Sequence, residues 1–260
     1  MGVQALCELA ANSPRKDAEI CKQGYSANYV NSMKITASKI FSWAVKCGWL
    51  QSNPCKGLPI PKSGKKRIRH VLTAEQVRSL VAALPKREGV MVIFLAITGL
   101  RISEAVALRW SDFREDCIHM RRYRYEGRIT ELESRESRLV PIPIELRRLM
   151  ESLRESEEDD WIFRSRTPGL PMNHSMSMKR IIKPVLRKLG LPSIGWHDLR
   201  HTLISWLGSA KYSPKMIADV VGHSDIQTTL SVYTHAAMPE VRIALDEIAG
   251  KLFRNCSESQ

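Results

Sequence analysis

A proline- and glycine-rich stretch interrupts the sequence and limits how the chain can fold. Residues 48–70, "GWLQSNPCKGLPIPKSGKKRIRH", contain three prolines and three glycines, which end helices and strands. Before this stretch, apolar residues at helical spacing predict an amphipathic helix, namely Val30, Met33, Ala37, Phe41 and Ala44. After it, "LTAEQVRSLVAAL" begins with Thr73 and Gln76 at the spacing of a capping box. We therefore predict a helical domain over residues 1–60, a basic linker over 61–70 and a second domain over 71–260.

The second domain has mixed local patterns that predict its fold class. Helices are expected at about 88–98 and 102–109, and again after Glu145 except in 159–173. Residues 117–143 instead contain β-branched and aromatic residues, a Glu-Gly turn signal and two closing prolines. The sequence thus predicts a mainly α protein with a small antiparallel β-sheet.

The distribution of charge points to a polyanionic partner. The chain has a net charge of +13, and no Asp or Glu lies between Ile20 and Ala74, where ten Lys or Arg occur. A surface that is merely soluble usually mixes both signs, so an acid-free stretch favours contact with phosphates; a cationic surface kept for solubility is the alternative. The candidate DNA contacts are Lys34, Lys39, Lys46, Lys62, Lys65, Lys66, Arg67 and Arg69.

Cysteine use and hydropathy favour a cytoplasmic protein without a membrane anchor. The six cysteines form no C-x-x-C pair, which is typical of reduced cytosolic thiols. The N-terminus lacks the basic region of a secretory signal. The longest apolar run, "VMVIFLAITGL" at 90–100, is too short to span a bilayer.

Two stretches place charged side chains next to apolar helices. In "TGLRISEAVALRW" (98–110), Arg101 follows the end of an apolar helix, and Glu104 three residues later can pair with its guanidinium. The alternative there is a structural salt bridge. In "GWHDLRHTLISWL" (195–207), His197 is three residues before Arg200 and four before His201, spacings that bring side chains to a common helix face. A zinc site, a phosphate pocket and an ordinary charged helix all remain open.

A third stretch, "SPKMIADVVGHSDIQTTLSVYTH" (213–235), predicts a helix that Ser213 caps and Gly222 ends. His223 follows in the turn, and Tyr233 comes ten residues later. Because Tyr233 continues a helical apolar spacing, a plain core tyrosine is the alternative.

Taken in order, R-x-x-E, H-x-x-R, G-H and Y resemble the tyrosine recombinases, the phage-integrase family of site-specific DNA strand-exchange enzymes, over about residues 25–245. The resemblance implies catalytic roles for Arg101, His197, Arg200, His223 and Tyr233, with Glu104 in support. It also implies a homo-tetramer acting on two double-stranded DNA sites in the nucleoid, with accessory DNA-bending proteins as candidate partners. Residues 1–60 would then be the latter part of a core-binding domain, so we expect a truncated N-terminus.

These residue types suit phosphoryl transfer. A tyrosine hydroxyl can attack a phosphodiester and form a covalent intermediate, and two arginines can bind the non-bridging oxygens. One histidine can take the proton of the nucleophile while another hydrogen-bonds the phosphate. Such a site needs no metal and no other cofactor. The zinc alternative is disfavoured because Asp198 stands where H-E-x-x-H has its glutamate, and because Arg200 would direct a cation at the metal.

One position departs from the resembled family. The family carries a hairpin lysine in a stretch similar to E-x-K-T-x-x-S-R-x-x-P, and "ELESRESRLVP" (131–141), aligned on Glu131, Ser137 and Arg138, places Glu133 there. That lysine is expected to protonate the leaving 5′ oxygen, so the resemblance implies slow cleavage. The alternative that follows is a catalytically impaired relative acting as a sequence-specific DNA-binding protein. A topoisomerase of related chemistry is a third alternative, independent of Glu133.

The C-terminal stretch "PEVRIALDEIAGKLF" (239–253) predicts a last amphipathic helix, with Val241, Ala244, Ile248 and Leu252 on one face. By resemblance this face docks on a neighbouring protomer; docking on its own core is the alternative.

Overall fold

A computed structural model describes residues 27–58, 70–132, 137–154, 160–167, 169–222 and 238–253. The chain divides into two compact units, residues 1–68 and 69–260, and each is described by itself. Most of the predicted linker, residues 61–69, lies outside the described residues, so the predicted domain limits stay a prediction.

The described part of the first unit consists of helix α1, Ala27–Lys46, and the loop that follows it to residue 58. Three of its predicted apolar positions, Val30, Phe41 and Ala44, are buried. Met33 is instead 48% exposed, because it lies at the edge of the apolar stripe on the side of exposed Ile40. The loop after the helix is tied back to it, since the amide of Asn53 donates to the Ser38 carbonyl and to the hydroxyl groups of Ser38 and Ser42.

Nine α-helices are described in the second unit. They are α2 (Ala74–Ala82), α3 (Lys86–Thr98), α4 (Ile102–Ala105), α5 (Ile144–Glu151), α6 (His174–Ser177), α7 (Lys183–Lys188), α8 (Trp196–Ser209), α9 (Pro214–Val221) and α10 (Met238–Phe253). A π-helical turn, Met178–Ile182, joins α6 to α7. The predicted capping box of α2 is confirmed: the Thr73 hydroxyl accepts from the Gln76 backbone at 3.2 Å, and the Gln76 side chain accepts from the Thr73 backbone at 2.9 Å.

Helix α3 lies at the centre of this unit, with ten of its residues buried. Helix α8 packs against it through the predicted stripe of Leu199, Leu203 and Leu207, each at most 1% exposed. The side chains of α8 also hold the start of the unit, because Thr202 accepts from the Leu72 backbone and Trp206 donates to the Leu72 carbonyl. The packed helices α3 and α8 therefore form the support for two charged residues, Arg101 after the end of α3 and Arg200 on α8.

The helix predicted at 102–109 is shorter than expected, since α4 ends at Ala105. The chain tightens into i→i+3 bonds, in which Ala107 donates to Glu104 and Leu108 donates to Ala105. Beyond that turn the Leu108 carbonyl accepts from the Ile162 backbone, and Arg109 forms a β-bridge with Trp161. A continued helix would have used these backbone groups internally.

The antiparallel β-structure predicted in 117–143 is confirmed as two short ladders. Strands β1 (Cys117–Met120) and β4 (Arg138–Pro141) form one, and β2 (Arg122–Tyr125) and β3 (Arg128–Glu131) form the other. The turn between β2 and β3 has φ of 47° at Glu126 and 82° at Gly127, the two left-handed residues that a tight hairpin turn requires.

Helix α10 packs within its own chain, against α2, α3, α5, α9 and β4. All four residues of its predicted apolar face are at most 5% exposed. The expectation that this face docks on a neighbouring protomer is therefore wrong, because the face is already covered by its own core. Within the described residues, none of the helices has the length and apolar content needed to cross a membrane.

Candidate functional site

The turn between α3 and α4 places a paired arginine and glutamate at the surface of the core. Gly99 ends α3 in the left-handed conformation, and Arg101 immediately precedes α4. The Glu104 carboxylate accepts from the Arg101 backbone at 2.9 Å and from Arg101 Nη1 at 3.2 Å. The predicted pairing of Arg101 and Glu104 is confirmed. The Arg101 side chain keeps 38% exposure and can reach a ligand.

Arg200 lies in the core, at only 2% exposure. Its Nη1 donates to the Gly99 carbonyl at 2.7 Å and to the Val221 carbonyl at 2.5 Å. Its Nη2 is also buried, and no partner for it is found among the described residues. A buried guanidinium donor that the described residues leave without an acceptor is suited to bind one from a ligand.

Arg138 joins this cluster from strand β4, and the sequence did not single it out as a site residue. Its Nη2 donates to Glu104 Oε2 at 2.9 Å and its Nη1 to Glu104 Oε1 at 3.4 Å. Arg138 and Glu104 are 34 residues apart, so no local spacing joins them. The available signal was the stretch at 131–141, in which Arg138 served only to align the position of Glu133.

The cluster holds three guanidinium groups and one carboxylate. The pKa of Arg200 is lowered to about 10, first by burial and then by the positive charges of Arg101 and Arg138, while Glu104 opposes this shift. Burial by itself would raise the pKa of Glu104. The Arg138 charge, the Arg101 backbone N–H, the Arg138 hydrogen bond and the Arg101 charge outweigh this effect, so the pKa of Glu104 is lowered. Glu104 is therefore ionised at neutral pH, and the cluster keeps a net positive charge.

The side chains on the predicted common face of α8 differ in their burial. His197 is exposed whereas Arg200 is buried. The rings of His197 and His201 meet edge to face, with centroids 4.8 Å apart. Asp198 accepts from the Gly195 backbone at 2.7 Å and so caps the helix, a structural use that differs from the base of a metallopeptidase motif. In the part of the chain that the structure describes, no group of three or more His, Cys, Asp or Glu is arranged to hold a metal.

The end of α9 approaches the arginine cluster. The predicted cap is confirmed because the Ser213 hydroxyl accepts from the Met216 backbone, and Gly222 adopts φ of 67° at the C-terminus. A Cβ on Gly222 would lie 2.9 Å from Arg138 Cζ. The C-terminal end of α9 therefore lies against the Arg138 guanidinium.

Several predicted site residues lie outside the described residues: His223, Tyr233, Glu133, Lys62, Lys65, Lys66, Arg67 and Arg69. Among the described lysines, Lys39 and Lys46 are exposed, while Lys34 is half-buried and donates to the Leu58 carbonyl. Two cavities, of about 350 and 210 Å³, are lined by residues around Arg87 and Ser165 and include none of the clustered arginines. Charge rather than concavity marks the candidate site.

A buried arginine cluster in a mainly α domain is the kind of site that can bind an anion such as a phosphate. The sequence profile described as the Phage integrase family matches residues 70–240. The chain belongs to that family, the tyrosine recombinases, which break and rejoin DNA in site-specific recombination.

Curated relatives share about a quarter of their residues with this chain. The tyrosine recombinase XerC-like protein of Caldanaerobacter subterraneus subsp. tengcongensis is 24% identical, over 90% of this chain and 69% of that protein. The tyrosine recombinase XerC of Xanthomonas axonopodis pv. citri is 28% identical, over 82% and 69%. The ICEBs1 integrase of Bacillus subtilis is 28% identical, over 83% of this chain and 64% of that protein.

Solved structures share the fold. The Tn1549 transposon integrase in complex with a circular intermediate DNA superposes with a TM-score of 0.71 at 20% identity, covering 92% of this chain and 85% of that chain. A lambda integrase dimer bound to a COC′ core site gives a TM-score of 0.58 at 17% identity, covering 88% and 82%.

Proposed function

We propose that this chain is a site-specific recombinase or integrase that cleaves and rejoins double-stranded DNA through a covalent phosphotyrosyl intermediate. The observation that carries the proposal is the arginine cluster, in which Arg200 Nη2 is buried without a partner among the described residues. A DNA phosphodiester supplies the acceptor oxygens that this donor lacks. The Tn1549 and lambda integrases, whose structures contain DNA, support DNA as the partner.

Arg101 and Arg200 have the roles of binding the two non-bridging oxygens of the scissile phosphate. Arg101 is partly exposed and Arg200 is held by two backbone carbonyls, so one can adjust to substrate while the other is fixed. Glu104 orients Arg101 through both its backbone and its side chain. As negative charge grows in the transition state, preorganised donors stabilise it without having to reorganise.

The Tyr233 hydroxyl attacks phosphorus and forms the tyrosyl–phosphate bond as the bond to the 5′ oxygen breaks. The tyrosine proton passes to one of His197 and His223, and the other donates a hydrogen bond to the phosphate. The leaving oxygen takes its proton from water. Rejoining reverses these steps on a second strand. Apart from water, every group in this scheme belongs to the chain or the DNA, and no metal or cofactor enters it.

The wider assembly follows the same proposal. A tetramer brings two DNA sites together so that strands can be exchanged, and accessory DNA-bending proteins assist it in the cytoplasm at the nucleoid. Residues 1–60 bind DNA as a core-binding domain, and 71–260 form the catalytic domain. The ICEBs1 integrase and a probable integrase of prophage ps2 among the relatives favour integration or excision of a mobile element.

Nicked suicide duplexes with a randomised core test this function. Cleavage of such a duplex releases a short strand and traps the protein on the DNA, so a denaturing gel reveals a covalent adduct. We expect the DNA recovered from the adducts to share one core sequence. Plasmid relaxation without site preference would instead indicate a topoisomerase. Sequence-specific binding without any adduct would indicate the impaired, DNA-binding relative.

Glu133 is the sequence feature that favours the second candidate, the impaired relative. A carboxylate about 4 Å from a phosphate raises the barrier by about 1–4 kcal/mol at surface-like dielectric constants, and it donates no proton to the leaving oxygen. We expect slow cleavage by the native chain and faster cleavage by Glu133→Lys. DNA with sulfur as the bridging 5′ atom needs no proton on its leaving group, so it should remove most of that difference. Equal rates for both proteins on ordinary DNA, with no gain from sulfur, would mean that another group donates the proton.

A further inference from the structure

Glu104 is bound on two sides by arginines from different elements. Arg101, at the start of α4, contacts it through the backbone N–H and Nη1, and Arg138 on β4 contacts both of its oxygens. The carboxylate is only 7% exposed, so water screens it little. Paired with Arg101 alone, Glu104 would cancel the charge with which Arg101 attracts a phosphate.

We propose that Arg138 is a charge-compensating and positioning residue of the site. It neutralises Glu104, so that Glu104 can hold Arg101 in place while Arg101 and Arg200 keep two positive charges for the phosphate. The inference rests on the proposed function, because it names how that site keeps its charge.

The surroundings of Arg138 favour this indirect role over contact with substrate. Its side chain is 14% exposed, and Glu104 occupies both terminal nitrogens. On the other side the Gly222 backbone lies so close that an added Cβ would be 2.9 Å from Cζ and 3.0 Å from Nε. The guanidinium is therefore enclosed between a carboxylate and a glycine.

No neighbouring arginine of β2 is placed to take over this task. Strand β2 also packs against α4, but Arg122 pairs with buried Asp112 at 2.5 Å. Arg124 donates to the Met172 carbonyl at 3.0 Å. Arg138 alone, of the three arginines on β2 and β4, is hydrogen-bonded to Glu104 among the described contacts.

The test compares the native chain with Arg138→Met, Arg138→Lys and the double variant Glu104→Gln/Arg138→Met. Arg138→Met lowers the net charge of the cluster by one, Arg138→Lys preserves it, and the double variant restores it. Inorganic phosphate binding to the full chain is measured by calorimetry, and thermal unfolding reports whether each variant is folded. Cleavage of the suicide duplex is measured in parallel.

We expect Arg138→Met to bind phosphate about tenfold more weakly, the order of effect of one charge a few ångströms away at protein-like dielectric constants. The double variant and Arg138→Lys should return to within about threefold of native. Cleavage by both variants should stay about tenfold slow. Arg138→Lys loses the two-point contact that holds Glu104, and the double variant loses the Glu104 carboxylate that orients Arg101.

A purely structural role predicts a different result, because removal of a second buried partner would not restore anion affinity. Native-like phosphate binding by Arg138→Met, or no recovery in the double variant, would overturn the inference. If Arg138→Met does not fold, weak phosphate binding by folded Arg138→Lys would overturn it instead. A native chain that binds phosphate yet forms no DNA adduct would contradict the proposed function and leave the binding comparison to decide the role of Arg138.

Discussion

Arg200 combines a positive charge with nearly complete burial. The pKa of this guanidinium is lowered to about 10, so keeping it charged in the folded protein at neutral pH costs about 3 kcal/mol. Two carbonyls offset part of that cost, yet Nη2 remains without a partner among the described residues. A bound phosphate would recover the remainder, because it adds both an acceptor and a negative charge. The buried charge of Arg200 therefore lowers the folding stability of the free protein, and a bound phosphate would restore part of it.

The Gly99 carbonyl can reach Arg200 only because Gly99 has no side chain. A Cβ there would lie 2.8 Å from Leu203 Cδ2 and 3.0 Å from Val221 Cγ1. Gly190 is a matched control, with φ of 66° against 63° but no atom near an added Cβ. Both alanine variants incur backbone strain of about 1–2 kcal/mol, and Gly99→Ala should lose about 1–3 kcal/mol more through overlap. Urea unfolding measures the loss of stability in both variants. Equal losses would mean that the space around Gly99 accommodates a Cβ.

Glu104 should make stability depend on acid pH. Its pKa is lowered in the folded state, so its contribution is present above its ordinary pKa near 4.5 and is lost as the pH falls through the folded value. At pH 7 we expect Glu104→Gln to lower the free energy of unfolding by about 3–5 kcal/mol, as for a broken buried ion pair. The deficit should shrink below pH 4.5.

The exposed pair Arg109–Asp160 provides the control for Glu104. Its atoms are 3.1 Å apart and Asp160 is half exposed, so Asp160→Asn should change the free energy of unfolding by less than about 1 kcal/mol. Urea unfolding between pH 7 and pH 3 measures both variants. A Glu104→Gln deficit that stays constant over that range would argue against an ionised, paired Glu104.

Contacts between residues close in sequence were predictable, whereas contacts across the fold were not. Arg101 and Glu104 are three residues apart, and Thr73 and Gln76 form a local cap, so spacing alone identified both pairs. Arg138 meets Glu104 only because β4 pairs with β1 and lies beside α4. Likewise, the carbonyls that hold Arg200 belong to the ends of two other helices, which no local pattern joins.

At the scale of elements, helix ends position the site. Helices α3 and α9 both end in a left-handed glycine and direct a carbonyl at Arg200. The glycines predicted both ends. The early end of α4 was not predicted, because the apolar residues 105–108 suit a helix and are also buried in the observed turn. Tertiary pairing with residues 160–162 decided between the two.

Helix α10 allows a matched test of its packing. Ile248 is fully buried, and Ile243 on the same helix is 64% exposed. Ile248→Ala should reduce the free energy of unfolding by about 2–5 kcal/mol, while Ile243→Ala should change it by less than about 0.5 kcal/mol. Chemical denaturation of dilute protein is the measurement. An effect of Ile248→Ala that grows with protein concentration would indicate that the face packs on another protomer.

At the scale of the whole molecule, the net charge of +13 should govern affinity for DNA in general. Each phosphate contact releases counterions, so the logarithm of affinity falls with the logarithm of salt concentration. Neutralising Lys65, Lys66 and Arg67 to Gln should reduce that slope by about 3 and weaken binding to unrelated sequences alike. A variant that exchanges Lys for Arg and Arg for Lys at these positions keeps the charge and should match the native slope. Weakening confined to one target sequence would contradict a non-specific role.

The covalent bond between Tyr233 and DNA is the central claim, and one gel measures it. Tyr233→Phe removes only the hydroxyl, so folding and DNA affinity should be retained while the adduct on suicide duplexes disappears. Tyr212→Phe is the control. The Tyr212 hydroxyl donates to the Glu247 side chain on α10 at 2.9 Å, and it has no role in the scheme. We expect adducts from the native chain and Tyr212→Phe and none from Tyr233→Phe. Adducts that persist in Tyr233→Phe would contradict the assignment of the nucleophile.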